Sequence, residues 1–404
     1  MLTPLHNRME VKGKETFDVK LFKSFSICIG VMLSSLLISI VLAEIFFAAC
    51  AILFIVLLTR GYSYNINSFD IIFILFLTVR AITVICSEYW STSAATFWTQ
   101  WVFFTGYFFS SFFFQHANTK YIRNVFRSLI ISTIIVSFIS IALVVLDYVQ
   151  RANGLSGGGT LATHLVYSIL LLLFVKDEHK IISSRIVYWG SLIVFLLALA
   201  LTQTRGDWIA AAVVITCFGI RFNRKMLLYV LLFATVIVIA LPSIRSRLET
   251  LASPLSNTSD RLTLWQHAVP LIKEHPWLGH GPGTFSQVFL FRNELVDKGV
   301  ASWHNDMIQV TVESGLLGLA SFTVLFISVI RMITKNKNPA PIRGNVNVRW
   351  FGLLLILAHL IIGTFGVPTI SITNGLLFRF FIAFVITSMV IGSSKDTISQ
   401  RITA

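Results

Sequence analysis

Apolar residues run in long stretches along almost the whole chain, interrupted by short polar segments. Windows long enough to cross a bilayer fall at about 24–42, 44–59, 69–86, 94–114, 128–146, 160–175, 186–203, 208–220, 226–242, 305–330, 350–367 and 374–393. This pattern predicts an all-α integral membrane protein with about twelve transmembrane helices. The first two windows form one stretch of about 36 residues, which as a single helix would span about 54 Å; a split near Glu44 is expected. One polar segment breaks the rule of short loops. It covers 243–304, holds Trp265, Trp277 and Trp303 among Pro, Gly and His, and is read as a folded, partly helical cap, since long loops in compact architectures are usually functional or disordered. The chain then divides into nine helices with an N-terminal tail (1–242), the large loop (243–304) and three helices with a C-terminal tail (305–404).

Composition agrees with this reading. Of the 404 residues 55% are hydrophobic and only 12% charged, about half the charged share of a soluble domain. Twelve spans leave no room for a large soluble domain. The net charge of +14 would suggest nucleic acid in a soluble chain, but basic loops produce it in a membrane protein, and no nucleic acid is expected. One side receives 22 of the 32 Lys and Arg, from Arg8 through the 331–349 cluster to Arg401, and the other receives eight. By the positive-inside bias both termini are cytoplasmic and the long loop lies on the outer face. Cys28, Cys50, Cys86 and Cys217 show no pairing or metal-ligand spacing, so neither disulfide nor zinc is expected.

Three positions on the outer face carry candidate chemistry. Arg205 stands in Leu201-Thr202-Gln203-Thr204-Arg205-Gly206-Asp207-Trp208, on a tight turn between two spans. Taken singly it also fits a snorkelling side chain or a pair with Asp207. Arg261 follows Ser259 and Asp260, either of which can cap a helix with Leu262, Trp265 and Val269 on one face. In that first turn the unpaired N–H groups attract anions, although a solvated arginine fits the same pattern. His304 stands at the mouth of span ten, with Ile308, Thr311 and Gly315 expected on its helix face, and Gly315 and Gly318 allowing a close helix neighbour. An imidazole there can take a proton near neutral pH; a hydrogen-bonded interfacial histidine is the plainer alternative. Secondary candidates are Asn305, Trp303, Arg247 and the intramembrane Arg80, which like Arg379 needs a partner or a cavity. The Gly279-His280-Gly281-Pro282-Gly283 run reads as turn chemistry rather than a phosphate loop, because no strand precedes it. His267, His275 and His280 have no metal-ligand spacing.

Two arginines and a histidine on one face suit a reaction in which a diphosphate leaves: the cations neutralise the leaving charge and the imidazole accepts the proton of an attacking hydroxyl. At these residues the sequence resembles the bacterial O-antigen ligase family and its superfamily, which includes O-antigen polymerases. The matching stretches are 198–205 ending at Arg205, the Asp260-Arg261-Leu262 helix start, and His304-Asn305 with Gly315 eleven positions on; Arg205 is followed by Ile209 where a ligase-type pattern has Leu. The resemblance implies a GT-C-like architecture in the bacterial inner membrane and a metal-independent, inverting glycosyltransferase with a periplasmic active site. It implies transfer of O-antigen polysaccharide from undecaprenyl diphosphate to lipid A–core, with Arg205 and Arg261 on the diphosphate, His304 activating the acceptor and no cofactor. An O-antigen polymerase using the same donor, or a lipid-linked oligosaccharide flippase, is the alternative. Intramembrane ionisable groups and inverted repeats would mark the flippase.

Overall fold

A computed structural model describes residues 3–155, 157–175, 182, 184–252, 260–291, 295, 300–335 and 347–403, with side chains described throughout except at 3–17, 175, 247, 248, 250–252, 260 and 392–403. Among the described residues there are helices, turns and loops but no strands. In chain order the helices are α1 (Thr3–Ser35), α2 (Ile40–Thr59), α3 (Ser68–Ile85), α4 (Trp90–Phe104), α5 (Gly106–His116), α6 (Thr119–Val145), α7 (Gly158–Val175), α8 (Arg185–Thr202), α9 (Arg205–Phe222), α10 (Arg224–Ala240), α11 (Pro242–Ala252), α12 (Asp260–Glu274), α13 (Phe285–Val288), α14 (Asp306–Lys335), α15 (Val348–Phe365) and α16 (Ile372–Thr403). All twelve apolar windows fall largely on helix. Seven helices are long and apolar enough to cross a membrane by length and composition, and Gly158–Phe174 is a shorter apolar helix. The protein is an all-helical, multi-pass membrane protein.

Two boundaries differ from the sequence reading. The first long apolar stretch breaks at 36–39, where the Ser39 hydroxyl caps α2 by accepting from Leu42 N at 3.4 Å, and not at Glu44. Serine supplies an acceptor for an orphan N–H, whereas Glu44 lies exposed inside the helix. The window at 94–114 is likewise two helices, α4 and α5, meeting at Thr105.

α16 forms the middle of the bundle, with 89% of its 372–391 window buried, against 22% for α2. With lipid as apolar as leucine, packing rather than water exclusion holds such helices together, and aromatic rings supply much of it. Phe114 meets Phe380 and Phe384 at ring-centroid distances of 5.0 and 5.2 Å, and Phe126 meets Phe384 edge-on at 5.4 Å. The long loop has its own core, in which Leu264, Ala268, Phe285, Phe289 and Trp303 are buried together. We call this unit the cap.

The cap is fastened to the bundle through a break in α14. Gly315 adopts φ +62°, so the helix kinks there, and the 276–281 segment lies in the opening. His280 N and Gly281 N donate to the carbonyls of Val312 and Glu313 at 2.9 Å, and Leu316 N donates to Pro276 O at 2.7 Å. A side chain at Gly315 would overlap the Trp277 backbone. Gly315 therefore admits a loop, not the neighbouring helix expected from sequence. Gly281 and Gly283 are needed for similar contact, with Ser87, Ser93 and Thr96. This accounts for the glycines of the 279–283 run.

Beneath the break, Glu313 receives Arg80 at 2.8 Å, both side chains 1% exposed. Arg80 also donates to Gln100 and Ser314, and Glu313 accepts from Gln309 and Gly283 N.

Candidate functional site

Five helices begin around one cavity of about 800 Å³. Its wall includes Gly159, Thr160 and Thr163 of α7, Arg205, Gly206 and Asp207 of α9, Arg261 of α12, His304 just before α14, and Asn374 of α16, together with Arg151, Gln203, Thr204 and the 365–371 segment. Each helix start carries unpaired N–H groups and the positive end of the peptide dipoles. The cavity therefore attracts anions before any side chain is counted, and Arg151, Arg205 and Arg261 add to that field.

The local sequence explains each position. α8 stops at Gln203, which takes the left-handed conformation at φ +55°, and Thr204 leads directly into α9. The two helices are thus joined by a two-residue turn, clamped by a Thr202–Thr204 hydroxyl contact of 2.8 Å and by Trp208 Nε1 donating to Leu199 O at 2.8 Å. Arg205 becomes the first residue of α9. Asp207, 6% exposed, accepts from the Thr163 hydroxyl at 2.9 Å, tying α9 to α7.

Arg261 occupies the first turn of α12, with its guanidinium 5.7 Å from the centre of the Phe365 ring. The same ring packs on Gly206, where a Cβ would come 2.8 Å from that of Phe365. One aromatic side chain thus brings the Arg205 turn and Arg261 together. Burial lowers the Arg261 pKa, the nearby Arg205 charge lowers it further, and Asp207 opposes both. Two cations held together in this way gain most from a ligand with more than one negative charge. Gly206→Ala is expected to displace Phe365 and cost about 1–3 kcal/mol, measured as a lower melting temperature of the solubilised protein.

His304 precedes α14, so it does not share the helix face expected from sequence. Its backbone is left-handed, at φ +49°, a conformation that histidine adopts more readily than most residues but still at a cost. Both neighbours are anchored. Trp303 is fully buried, donates from its N to Gln309 Oε1 at 3.0 Å, and accepts Trp265 Nε1 on its carbonyl at 3.1 Å. Asn305 caps α14 by accepting from Ile308 N at 3.0 Å and donates to Thr364 O at 3.4 Å. His304 is held between them at the cavity wall.

The structure thus brings Arg205, Arg261 and His304 to one cavity, with Asn305 beside it as a cap. Trp303 lies in the cap core and Arg80 in the ion pair under the α14 break, neither on the cavity wall. Arg247 belongs to α11, but its side chain is outside the described residues, as is Ser259.

A chain of buried groups that sequence reasoning missed lies behind His304. Asp306 accepts the Thr369 hydroxyl at 2.7 Å, Thr369 Oγ1 lies 2.7 Å from His359 Nε2, and His359 Nδ1 lies 2.5 Å from Tyr167 OH. Because Thr369 gives its only proton to Asp306, His359 Nε2 must donate and Nδ1 must accept from Tyr167. Arg379, over the Phe104 ring at 4.2 Å, also donates to Thr369 O at 3.1 Å. Thr369 therefore fixes the 366–371 wall to the start of α14. Thr369→Val would leave His359 and Asp306 short of partners, at about 1–3 kcal/mol each. A lower melting temperature, restored by Thr369→Ser, is the expected result.

The fold and this cavity define a multi-pass helical membrane protein with an anion-attracting chamber at one end of its bundle. Residues 190–323, which include Arg205, Arg261 and His304, match the family model described as O-antigen ligase. Over 232 residues, 50% of this chain, it is 25% identical to an uncharacterized protein of Haemophilus influenzae, covering 56% of it. Over 91 residues, 20% of the chain, it is 29% identical to a Rickettsia conorii protein whose name proposes a polysaccharide ligase, covering 22% of it. The matched stretches thus span about half or less of these relatives.

Proposed function

We propose that the protein is an O-antigen ligase of the bacterial inner membrane, with both termini cytoplasmic and the cap and cavity on the periplasmic side. It transfers a preassembled polysaccharide from undecaprenyl diphosphate to a sugar of lipid A–core. The observation that carries this reading is the convergence of five helix starts, Arg205, Arg261 and His304 on a single cavity. The diphosphate sits among the arginines and helix starts, where its charge is matched. The acceptor hydroxyl oxygen attacks the anomeric carbon as the bond from that carbon to the diphosphate oxygen breaks. The electron pair leaves on the diphosphate, and the hydroxyl proton passes to His304. One displacement inverts the anomeric centre. Diphosphate leaves without a proton donor, and the arginines supply the charge that a cation would otherwise bring, so chelator should not slow the reaction.

Purified protein given lipid-linked polysaccharide and lipid A–core, with and without chelator, tests this. Capped lipopolysaccharide at equal rates in both arms is the expected result. Longer lipid-linked chains without transfer to lipid A–core would instead make it a polymerase. Movement of the donor across liposomes with no new glycosidic bond would make it a transporter.

A further inference from the structure

A second polar opening lies at the far end of the bundle from the candidate cavity. α6 ends on the cavity side, where Ala152 N donates to Leu201 O at 3.0 Å close to the Arg205 turn. Its 27 residues place its start about 40 Å away. There α1 and α6 enclose a crevice of about 310 Å³. Its floor is closed at Gly30, whose carbonyl accepts the Ser128 hydroxyl at 3.3 Å; a Cβ on Gly30 would come 3.1 Å from that hydroxyl oxygen. Lys23 on α1 and Lys120 on α6 stand at the mouth, about two turns or 10 Å above the floor.

Between mouth and floor the crevice is lined by Ser26, Tyr121 and Asn124. The Tyr121 ring is held edge-on against Phe22 at 5.6 Å. Among the described residues, the side chains of Lys23, Ser26, Lys120, Tyr121 and Asn124 make no hydrogen bond or ion pair, and no carboxylate lines the crevice. Ser26 is only 3% exposed, yet its hydroxyl, unlike that of Ser34, is not sealed from the surface. All five side chains can donate a hydrogen bond and two of them are cations. Unpaired N–H groups in the first turn of α6 add to the same field. Such a wall fits an anion that mainly accepts, and a phosphate is the plainest case.

The walls also extend into the membrane. Ile27, 54% exposed, and Val31 follow Lys23 on the same face of α1 and line the crevice with Val125. A ligand whose phosphate lies between the lysines therefore meets an apolar surface beneath it. A zwitterionic headgroup brings an ammonium for which this wall has no carboxylate, whereas a net-negative headgroup is matched. We propose that the α1–α6 crevice binds one anionic phospholipid, its phosphate between Lys23 and Lys120 and its acyl chains along Ile27 and Val31. The site is independent of the donor reading and lies at the opposite end of the bundle.

Native mass spectrometry of the full chain in non-ionic detergent, titrated with phosphatidylglycerol or with phosphatidylcholine of the same acyl chains, tests the site. The wild type is expected to hold one phosphatidylglycerol about tenfold more tightly than phosphatidylcholine, the order of preference that two lysines beside an anionic headgroup supply. Lys23→Gln/Lys120→Gln should lose that preference, and Asn124→Leu should weaken phosphatidylglycerol about threefold, the loss of one hydrogen bond. These three positions are exposed, so without added lipid the variants should melt as the wild type does. Arg224→Gln/Lys225→Gln removes equal charge at the start of α10, at the same end of the bundle but outside the crevice, and should keep the preference. Equal loss in the two double variants would reduce the effect to net charge, and a wild type without preference would leave the crevice without this ligand; either result overturns the proposal. So would displacement of the bound lipid by glycerol 3-phosphate at matching concentration, which would make the occupant a soluble phosphate ester.

Discussion

His304→Ala should lower the rate of polysaccharide transfer by about 10²–10⁴-fold, the usual contribution of a positioned base, with donor affinity nearly unchanged. The separation follows from the wall of the cavity. Arg205 and Arg261 belong to α9 and α12, with Phe365 packed against Arg261 and against Gly206 next to Arg205, whereas His304 stands between the anchored Trp303 and Asn305. Removing the imidazole leaves those contacts in place, so donor lipid should still bind. Arg261→Ala should do the reverse and weaken donor binding as well as turnover, because the cation is lost from both the bound state and the leaving diphosphate. Donor titration of each purified variant, alongside single-turnover rates, distinguishes the two effects. Equal loss of affinity in His304→Ala would show that the histidine holds donor rather than moving a proton.

The largest effect on stability is expected at Glu313. Among the described residues, Glu313→Met leaves the Arg80 guanidinium at full burial with Gln100 and Ser314 as partners. Breaking one side of a buried pair typically costs about 3–5 kcal/mol. It also removes the acceptor used by Gly283 N and Gln309, so the 279–283 run should loosen. Arg80→Met should cost less, because Glu313 keeps both of those donors. Replacing both residues by Met should recover part of the loss, since an apolar pair has no stranded charge. Melting temperatures of the solubilised single and double variants give the coupling. If Glu313→Met melts like the wild type, the pair does not hold the cap to the bundle.

Much of the architecture could be read from apolar run length alone. A helix in lipid must satisfy its own backbone, so each long apolar window had one available conformation, and all twelve fall largely on helix. Arg205, Arg261 and His304 were also legible as candidates, because Arg205 and His304 stand at the mouths of spans and Arg261 opens a helix in the long loop. What was hidden depended on distant pairing. Arg80 and Glu313 are 233 positions apart, so sequence could say only that Arg80 needed a partner. Thr369, His359 and Tyr167 each look like ordinary polar interruptions of apolar helices, and only contact shows them to be a chain. One signal was available: Thr160, Thr163, His164 and Tyr167 recur at helical spacing within an apolar window, which marks a polar stripe that has to face something other than lipid. The break in α14 was hidden because Gly315 is as suited to a helix crossing as to a loop insertion, and the choice depended on the 276–281 backbone.

The stitching of the cap into α14 also sets an order of assembly. The 276–281 segment is made before the carbonyls of Val312 and Glu313 that receive it, and the cavity wall is not complete until Asn374 and α16 follow. The cap therefore has no seat while the helices that precede it enter the membrane. During synthesis the arginine-bearing turn is in place early but without its far wall, so the chamber stays open until almost the entire chain has been inserted.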